Sequence, residues 1–246
     1  MLAASFENVG KTYKTGILRK SGITAVQNVS LHIPRGSVFA LLGPNRAGKT
    51  TLVKLLLNLA RPTTGAVTRL GEPASLRGSL NKVGYMHENH AFPKYLSATE
   101  VLHFYGGMSG VPTDQLHGKG SYWLERVGLA DRAKEPIHRF SKGMVQRLGL
   151  AQAMMNDPEL LILDEPTEGL DLLGRQLLRD VIGELRSAGK TAILVSHVLP
   201  EVQELCTEVG VMVAGQLAFR GKLNDLTSNR AGLEAALKAL YLKGAA

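Results

Sequence analysis

Cysteine is nearly absent: the 246 residues contain one, Cys206. A single cysteine closes no internal disulfide, and no cysteine–histidine cluster offers a zinc framework. Following Leu205 in an amphipathic run, Cys206 reads as a buried thiol, a usage that fits a reducing compartment. Aromatic residues are also few, at 5%, which leaves no evident base-stacking surface. No apolar run is long enough to span a bilayer; the richest, from Leu52 to Ala60, is broken by Lys54 and Asn58. The opening segment MLAASFENVG lacks the basic-then-apolar order of a secretory signal. These absences predict a chain that stays in the cytoplasm and reaches any membrane through a partner.

What is present is enough for a core. Hydrophobic residues make up 44% of the chain and charged ones 20%, a balance that argues against disorder. The length suits one large α/β domain, or a core with one small insert. The formal charge is +8, from 29 basic and 21 acidic residues. The charges are scattered, and the densest early group is Lys11, Lys14, Arg19 and Lys20. A soluble basic surface is the first reading of this excess, contact with acidic lipid headgroups the second and nucleic acid the third.

Strand signals fall at 24-TAVQNVSLHI-33, 37-SVFALLG-43, 159-ELLILD-164 and 191-TAILVS-196. The last three are short apolar runs, as expected of strands buried on both faces, and each feeds a polar loop and then a helical pattern. That order predicts a mostly parallel sheet surrounded by helices. Between about 92 and 155 helical patterns dominate: 97-SATEVLHFYGGM-108, 121-SYWLERVGL-129 and 142-KGMVQRLGLAQAMM-155. The first opens with Ser97 and carries Glu100 three residues later, a capping box. Short strands return at 209-VGVMV-213 and 216-QLAFR-220, followed by a helix from about Ala231 to Leu242. The expected organisation is a domain over 1–221 containing a helical insert at about 92–155, with a helical extension over 222–246.

Gly43-Pro44-Asn45-Arg46-Ala47-Gly48-Lys49-Thr50 matches the phosphate-binding spacing GxxxxGK[ST]. It follows a predicted strand and opens the helix 49-KTTLVKLLLNLA-60, the context this chemistry requires. Glycines let backbone N–H groups turn inward around phosphate oxygens, and the helix N-terminus adds partial positive charge. Lys49 supplies an ammonium for the terminal phosphates, Thr50 a hydroxyl for magnesium, and Thr51 a hydroxyl towards the α-phosphate. Downstream, the strand 160-LLIL-163 ends in Asp164-Glu165-Pro166. Acids at the carboxyl edge of a parallel sheet stand where ligands bind. Asp164 reads as a magnesium partner and Glu165 as the group that polarises an attacking water.

Taken singly, Ser141 reads as a helix N-cap, Tyr13 as a strand-edge aromatic and His197 as a turn histidine. Their order along the chain gives them another meaning. Ser141-Lys142-Gly143-Met144-Val145-Gln146-Arg147 resembles the signature loop of ATP-binding-cassette (ABC) ATPases. Tyr13 resembles the aromatic that stacks on adenine. Glu88, in 83-VGYMHEN-89, falls at the family's Q-loop position. Glu168-Gly169-Leu170-Asp171 resembles the D-loop, and His197 the H-loop histidine. The resemblance covers roughly Ser5 to Gly221. It implies an ABC ATPase fold: a P-loop NTPase core, an antiparallel β region and a helical insert. It also implies binding of ATP and Mg2+, with Thr50, Asp164 and Glu88 at the metal.

Further roles follow from the resemblance alone. Two cassettes pair head to tail, with ATP between the phosphate loop of one and Ser141 and Gly143 of the other. Glu165 serves as general base, His197 holds the γ-phosphate and the water, and Asp171 couples the two sites. The Glu88 loop senses magnesium and passes movement to the helical insert. The implied partners are a second copy of the chain and an integral-membrane permease subunit, with no nucleic acid. The implied place is the cytoplasm, peripheral on the inner face of the cell membrane.

The chain departs from the family pattern at three places. Arg46 stands where glycine is usual, and arginine is strained there if the backbone needs positive φ. Nucleotide binding is expected to survive, because Gly43, Gly48, Lys49 and Thr50 are intact. Glu88 replaces glutamine, and the signature reads SKGM where SGGQ is common. Both variants resemble cassettes of exporters. The segment 14-KTGILRKSGI-23 lengthens a loop and reads as a plain surface loop or one lying near lipid headgroups. The alternatives to an export ATPase are an ABC ATPase outside transport and a low-turnover nucleotide-dependent regulator. The missing coiled-coil, zinc-binding and tandem-cassette additions weigh against the former, Glu165 and His197 against the latter.

Overall fold

The computed structural model describes residues 1–15, 21–227 and 232–243. Of the segment 14–23, expected as a loop, residues 14–15 and 21–23 instead pair as antiparallel strands, with Lys14 opposite Gly22, and 16–20 lies outside the described residues. The chain divides into two compact units: Met1–Ser79 with Ile193–Ala246, and Leu80–Ala192.

The first unit opens with β1 (Leu2–Thr15) and β2 (Ser21–Pro34), which pair antiparallel. The buried strand β3 (Val38–Leu42) leads into α1 (Lys49–Leu56), followed by β4 (Thr64–Arg69) and the short β5 (Glu72–Pro73). One sheet runs β2-β1-β4-β5. The sequence pattern does not announce β1, and its register explains why. Pairing with β2 shifts between Phe6 and Val9 and again near Lys11, and Asn8 has φ 48°. Each bulge resets the alternation of inward and outward side chains that marks a strand.

Helix α1 is shorter than its apolar pattern, which runs to Ala60. Asn58, at φ 57°, takes the left-handed turn that ends it. The helix end is held by Arg69, whose side chain is wholly buried. Its guanidinium donates to the Leu56 and Leu76 carbonyls and to Ser79 Oγ. Burial pushes the Arg69 pKa below its usual value, with Glu72 opposing. The hydrogen bonds compensate for burying this cation.

The second unit begins with β6 (Val83–Met86) and continues with α2 (Ala98–Met108), α3 (Thr113–Arg126), α4 (Lys142–Met154), β7 (Leu160–Asp164) and α5 (Leu172–Ser187). β6 and β7 are parallel, with Val83 opposite Leu160. Strand β6 is only four residues long and contains Gly84. A Cβ there would fall 2.1 Å from the Ala153 carbonyl, so the glycine admits the α4 backbone. The three expected helices are present. The capping box at Ser97 and Glu100 is complete in both directions. α3 starts at Thr113 rather than 121, because Gly118 and Gly120 continue the helix instead of breaking it.

β8 (Thr191–Val195) returns the chain to the first unit, which ends with α6 (Leu199–Leu205), β9 (Glu208–Val213), β10 (Gln216–Lys222), α7 (Leu223–Thr227) and α8 (Leu233–Lys243). β3 runs parallel to β9, and β9 turns into β10 through Ala214 and Gly215, both at positive φ. Cys206 is buried, and burial pushes its thiol up to about 12. The expected α/β class is therefore present, with parallel strands, an antiparallel sheet and a run of three helices.

Candidate functional site

In the first unit the loop between β3 and α1 is shaped by two glycines. Gly43 has φ 148°, and a Cβ there would lie 2.3 Å from the Met212 carbonyl. Gly48 has φ 103°, and a Cβ there would lie 2.6 Å from the Ala25 carbonyl. No other residue fits either position without moving backbone. Between them Ala47 is buried, and its carbonyl accepts from Gly215 N at 3.1 Å. Arg46 is exposed and has φ 66°, so the condition for strain is met. Gly48 caps α1 without a side-chain hydrogen bond, and the first turn carries no acid. Its amides are thus open to an anion. Lys49 Nζ folds back over the loop and donates to the carbonyls of Gly43 at 2.6 Å and Pro44 at 3.1 Å. Thr50 is exposed and Thr51 half-buried, both on the first turn of α1.

His197 stands in the same neighbourhood. It follows β8 in a turn fixed by Ser196, whose buried Oγ accepts from Val198 N at 3.0 Å. Gly43, Pro44 and Asn45 share a cavity of about 640 Å³ with Ser196, His197 and five α8 residues, Glu234, Leu237, Lys238, Tyr241 and Leu242. No sequence motif marks α8 as part of this place. Tyr13 is half exposed on β1, with Lys11 Nζ 4.9 Å from its ring centroid. It is not among the residues lining the cavity.

The second unit gathers the acids. Asp164 ends β7 and is 3% exposed, while Glu88 is half-buried in the loop after β6. The Tyr85 hydroxyl is raised above its usual range by burial first, then by the charges of Asp164 and Glu88. Both carboxylates therefore act electrostatically on the same hydroxyl, and each offers oxygens of the kind a hard divalent cation takes. Glu165 has φ 49°, an unusual backbone for a non-glycine residue. The buried Gln146 of α4 holds that turn, its Nε2 donating to the Glu165 carbonyl at 3.3 Å and to Pro166 at 3.1 Å. Gln146 belongs to the signature-like segment, but this role depends on a partner 19 residues away.

Ser141 is the N-cap of α4 and accepts from Met144 N. A Cβ on Gly143 would lie 2.9 Å from the Gly169 carbonyl, and Lys142 pairs with Glu168. The signature-like loop and the Glu168–Asp171 loop thus touch within this unit. Asp171 is exposed and caps α5, its Oδ1 accepting from Gly174 N at 2.8 Å. His90, just beyond Glu88, is driven down to about 4 by burial and then by His87, so its ring is neutral.

Residues 26–168 match the family model described as ABC transporter. The chain is 41% identical over 222 residues to an uncharacterized ABC transporter ATP-binding protein of Nostoc sp., covering 89% of this chain and 66% of that protein. It is 36% identical over 211 residues to the Nod factor export ATP-binding protein I of Cupriavidus metallidurans, covering 85% of this chain and 70% of that one. The chain therefore spans about two thirds of the length of these relatives. A solved structure described as the ATP-binding subunit of an ABC transporter superposes with a TM-score of 0.85 at 24% identity, covering the whole of both chains.

Proposed function

This chain belongs to the ABC transporter family, and on that premise we propose that it binds and hydrolyses ATP to power export through a separate membrane protein. The observation that carries the reading is the cavity shared by the Gly43–Asn45 loop and His197, with Lys49 folded over the same loop. A phosphate chain entering the loop meets inward amides at the start of α1 and the Lys49 ammonium. The Lys49 bonds to two loop carbonyls hold the cradle in shape before the ligand arrives. His197 then stands beside the terminal phosphate.

Glu165 is the proposed general base. The Gln146 bonds hold its backbone in a geometry it would not adopt unaided. Thr50, Asp164 and Glu88 are the proposed magnesium ligands, and Mg2+ when bound supplies charge neutralisation at the phosphate oxygens. Tyr13 is assigned to adenine. Pro44, Asn45, Arg46, Ala47 and Thr51 complete the nucleotide contacts from the loop and helix.

In a pair of cassettes Ser141 and Gly143 address the terminal phosphate bound to the other copy, and Asp171 couples the two sites. Among the described residues no helix is long and apolar enough to cross a membrane; the proposed partner is an integral-membrane permease subunit. The proposed location is the cytoplasmic face of the cell membrane. The export-named relative and the Glu88 and SKGM variants support the outward direction.

Two measurements test the reading. Glu165→Gln is expected to lower ATP turnover by more than about a hundredfold while leaving nucleotide affinity within about threefold. Wild-type protein without turnover would refute the ATPase assignment. Purification in mild detergent should recover a multi-spanning membrane protein in stoichiometric amount, and recovery with ribosomes or DNA instead would refute the transport assignment.

A further inference from the structure

His90 lies two residues beyond Glu88, and the tip of its ring points at the backbone of α4. A Cβ built on Gly149 would lie 2.0 Å from His90 Nε2, 2.3 Å from Cε1 and 2.7 Å from Cδ2. Side chains do not approach so closely, so Gly149 is a socket that only glycine leaves open. The face of the ring is stacked on Phe92, with centroids 5.1 Å apart and planes at 10°. Phe92 is itself buried and meets Tyr105 of α2 edge-on at 5.6 Å.

His90 Nε2 is buried and has no hydrogen-bond partner. An unsatisfied ring nitrogen is a net loss to folding, so the ring's contribution is its fit between Gly149 and Phe92. Gly149 stands on the helix that Ser141 caps. Gly143 lies six residues nearer that cap, about 9 Å along the axis at 1.5 Å per residue. A short helix moves as a rod, so displacement at Gly149 reaches Gly143.

We propose that His90 is a positioning residue that ties the Glu88 loop to the helix carrying Ser141 and Gly143, through the socket at Gly149. The inference rests on the nucleotide-site roles given above to Glu88, Ser141 and Gly143. A change at Glu88 on nucleotide binding moves His90, and His90 moves α4 and, through Phe92, α2. The same contact holds the signature end of α4 in register with the Glu88 loop before nucleotide binds.

The test uses the full chain with four changes: His90→Ala, Gly149→Ala, the double variant, and His90→Leu, which keeps an apolar contact of similar reach. Binding stoichiometry for trinitrophenyl-ATP normalises each sample to folded, competent protein. Each alanine variant is expected to lower kcat about tenfold with nucleotide Kd unchanged within about twofold. The double variant should be no slower than either single one, because both remove one contact. His90→Leu should retain more than about half of the wild-type kcat.

Wild-type kcat in His90→Ala would overturn the proposal, as would single losses that multiply in the double variant. The wild type's own turnover tests the ATPase reading separately. Hydrogen exchange reads the coupling without turnover: Mg-ATP should alter exchange in the peptide covering 141–149 in wild type and His90→Leu. An equal response in His90→Ala would refute the coupling even if no hydrolysis occurred.

Discussion

At position 46 an arginine occupies backbone that glycine adopts without strain. Its φ of 66° lies in the left-handed region, which costs a residue with a Cβ roughly 1–2 kcal/mol. Glycine loses more chain entropy on folding, which offsets part of this. Arg46→Gly is therefore expected to stabilise the protein by roughly 0.5–1 kcal/mol and raise Tm by about 1–3 °C in a thermal melt. Nucleotide binding should persist in both forms, since the loop is set by Gly43 and Gly48. Arg69 is the opposite case: its guanidinium satisfies the Leu56 and Leu76 carbonyls and Ser79 Oγ. Arg69→Ala leaves those buried acceptors unpaired and opens a cavity, so urea unfolding should show a loss of about 3–5 kcal/mol. A loss below about 1 kcal/mol would mean that water replaces the side chain. Neither effect follows from composition; each depends on one backbone angle or one set of acceptors.

Among elements, α2 and α4 show how much a helix start decides. α2 begins with a reciprocal pair, Ser97 Oγ accepting from Glu100 N and Ser97 N donating to the Glu100 carboxylate. The Glu100 pKa is lowered first by the Ser97 N–H and then by the Ser97 hydroxyl, which both donate to its carboxylate. Ser97→Ala should destabilise by about 1 kcal/mol in equilibrium unfolding, with no change in nucleotide affinity. α4 begins with the same kind of cap at Ser141 but spends its polar interior differently. Gln146 turns inward to hold the Glu165 and Pro166 carbonyls, so the helix sets the backbone of the proposed base. Both helix starts were readable from sequence, because a cap and its partner lie three residues apart. The Gln146 contact was not, because its partner comes from another element.

For the whole molecule, the proposed cycle requires association of two chains around ATP. Glu165→Gln, which retains the cradle but lacks the base, should accumulate as a dimer in Mg-ATP on size-exclusion chromatography with light scattering. Removing Mg2+ with a chelator should return it to the monomer. A Glu165→Gln chain that stays monomeric at saturating Mg-ATP would refute the pairing, while leaving open single-chain nucleotide binding measured by fluorescence. In the second unit Ser141, Lys142 and Gly143, with Glu168, Gly169 and Asp171, are exposed or half-exposed, and the two loops already touch each other. Under the proposed pairing this is the surface that a second chain would meet.

The sequence by itself determined the features that are local. Glycine spacing, the Lys-Thr pair after a buried strand, helix caps and short apolar runs each act within a few residues, where backbone sterics and hydrogen bonding leave few alternatives. That was enough for the glycine loop between β3 and α1, for β3, β7 and β8, for three helices of the second unit and for the family resemblance. Tertiary structure alone decided the rest. β1 was hidden because its bulges break alternation, and β6 because Gly84 yields space to the Ala153 carbonyl. The place of α8 beside His197, the burial of Arg69, the Gln146 hold on Glu165 and the seat of His90 on Gly149 all join residues distant in the chain. Such contacts depend on shape complementarity between separately formed elements, which no periodicity along one segment records.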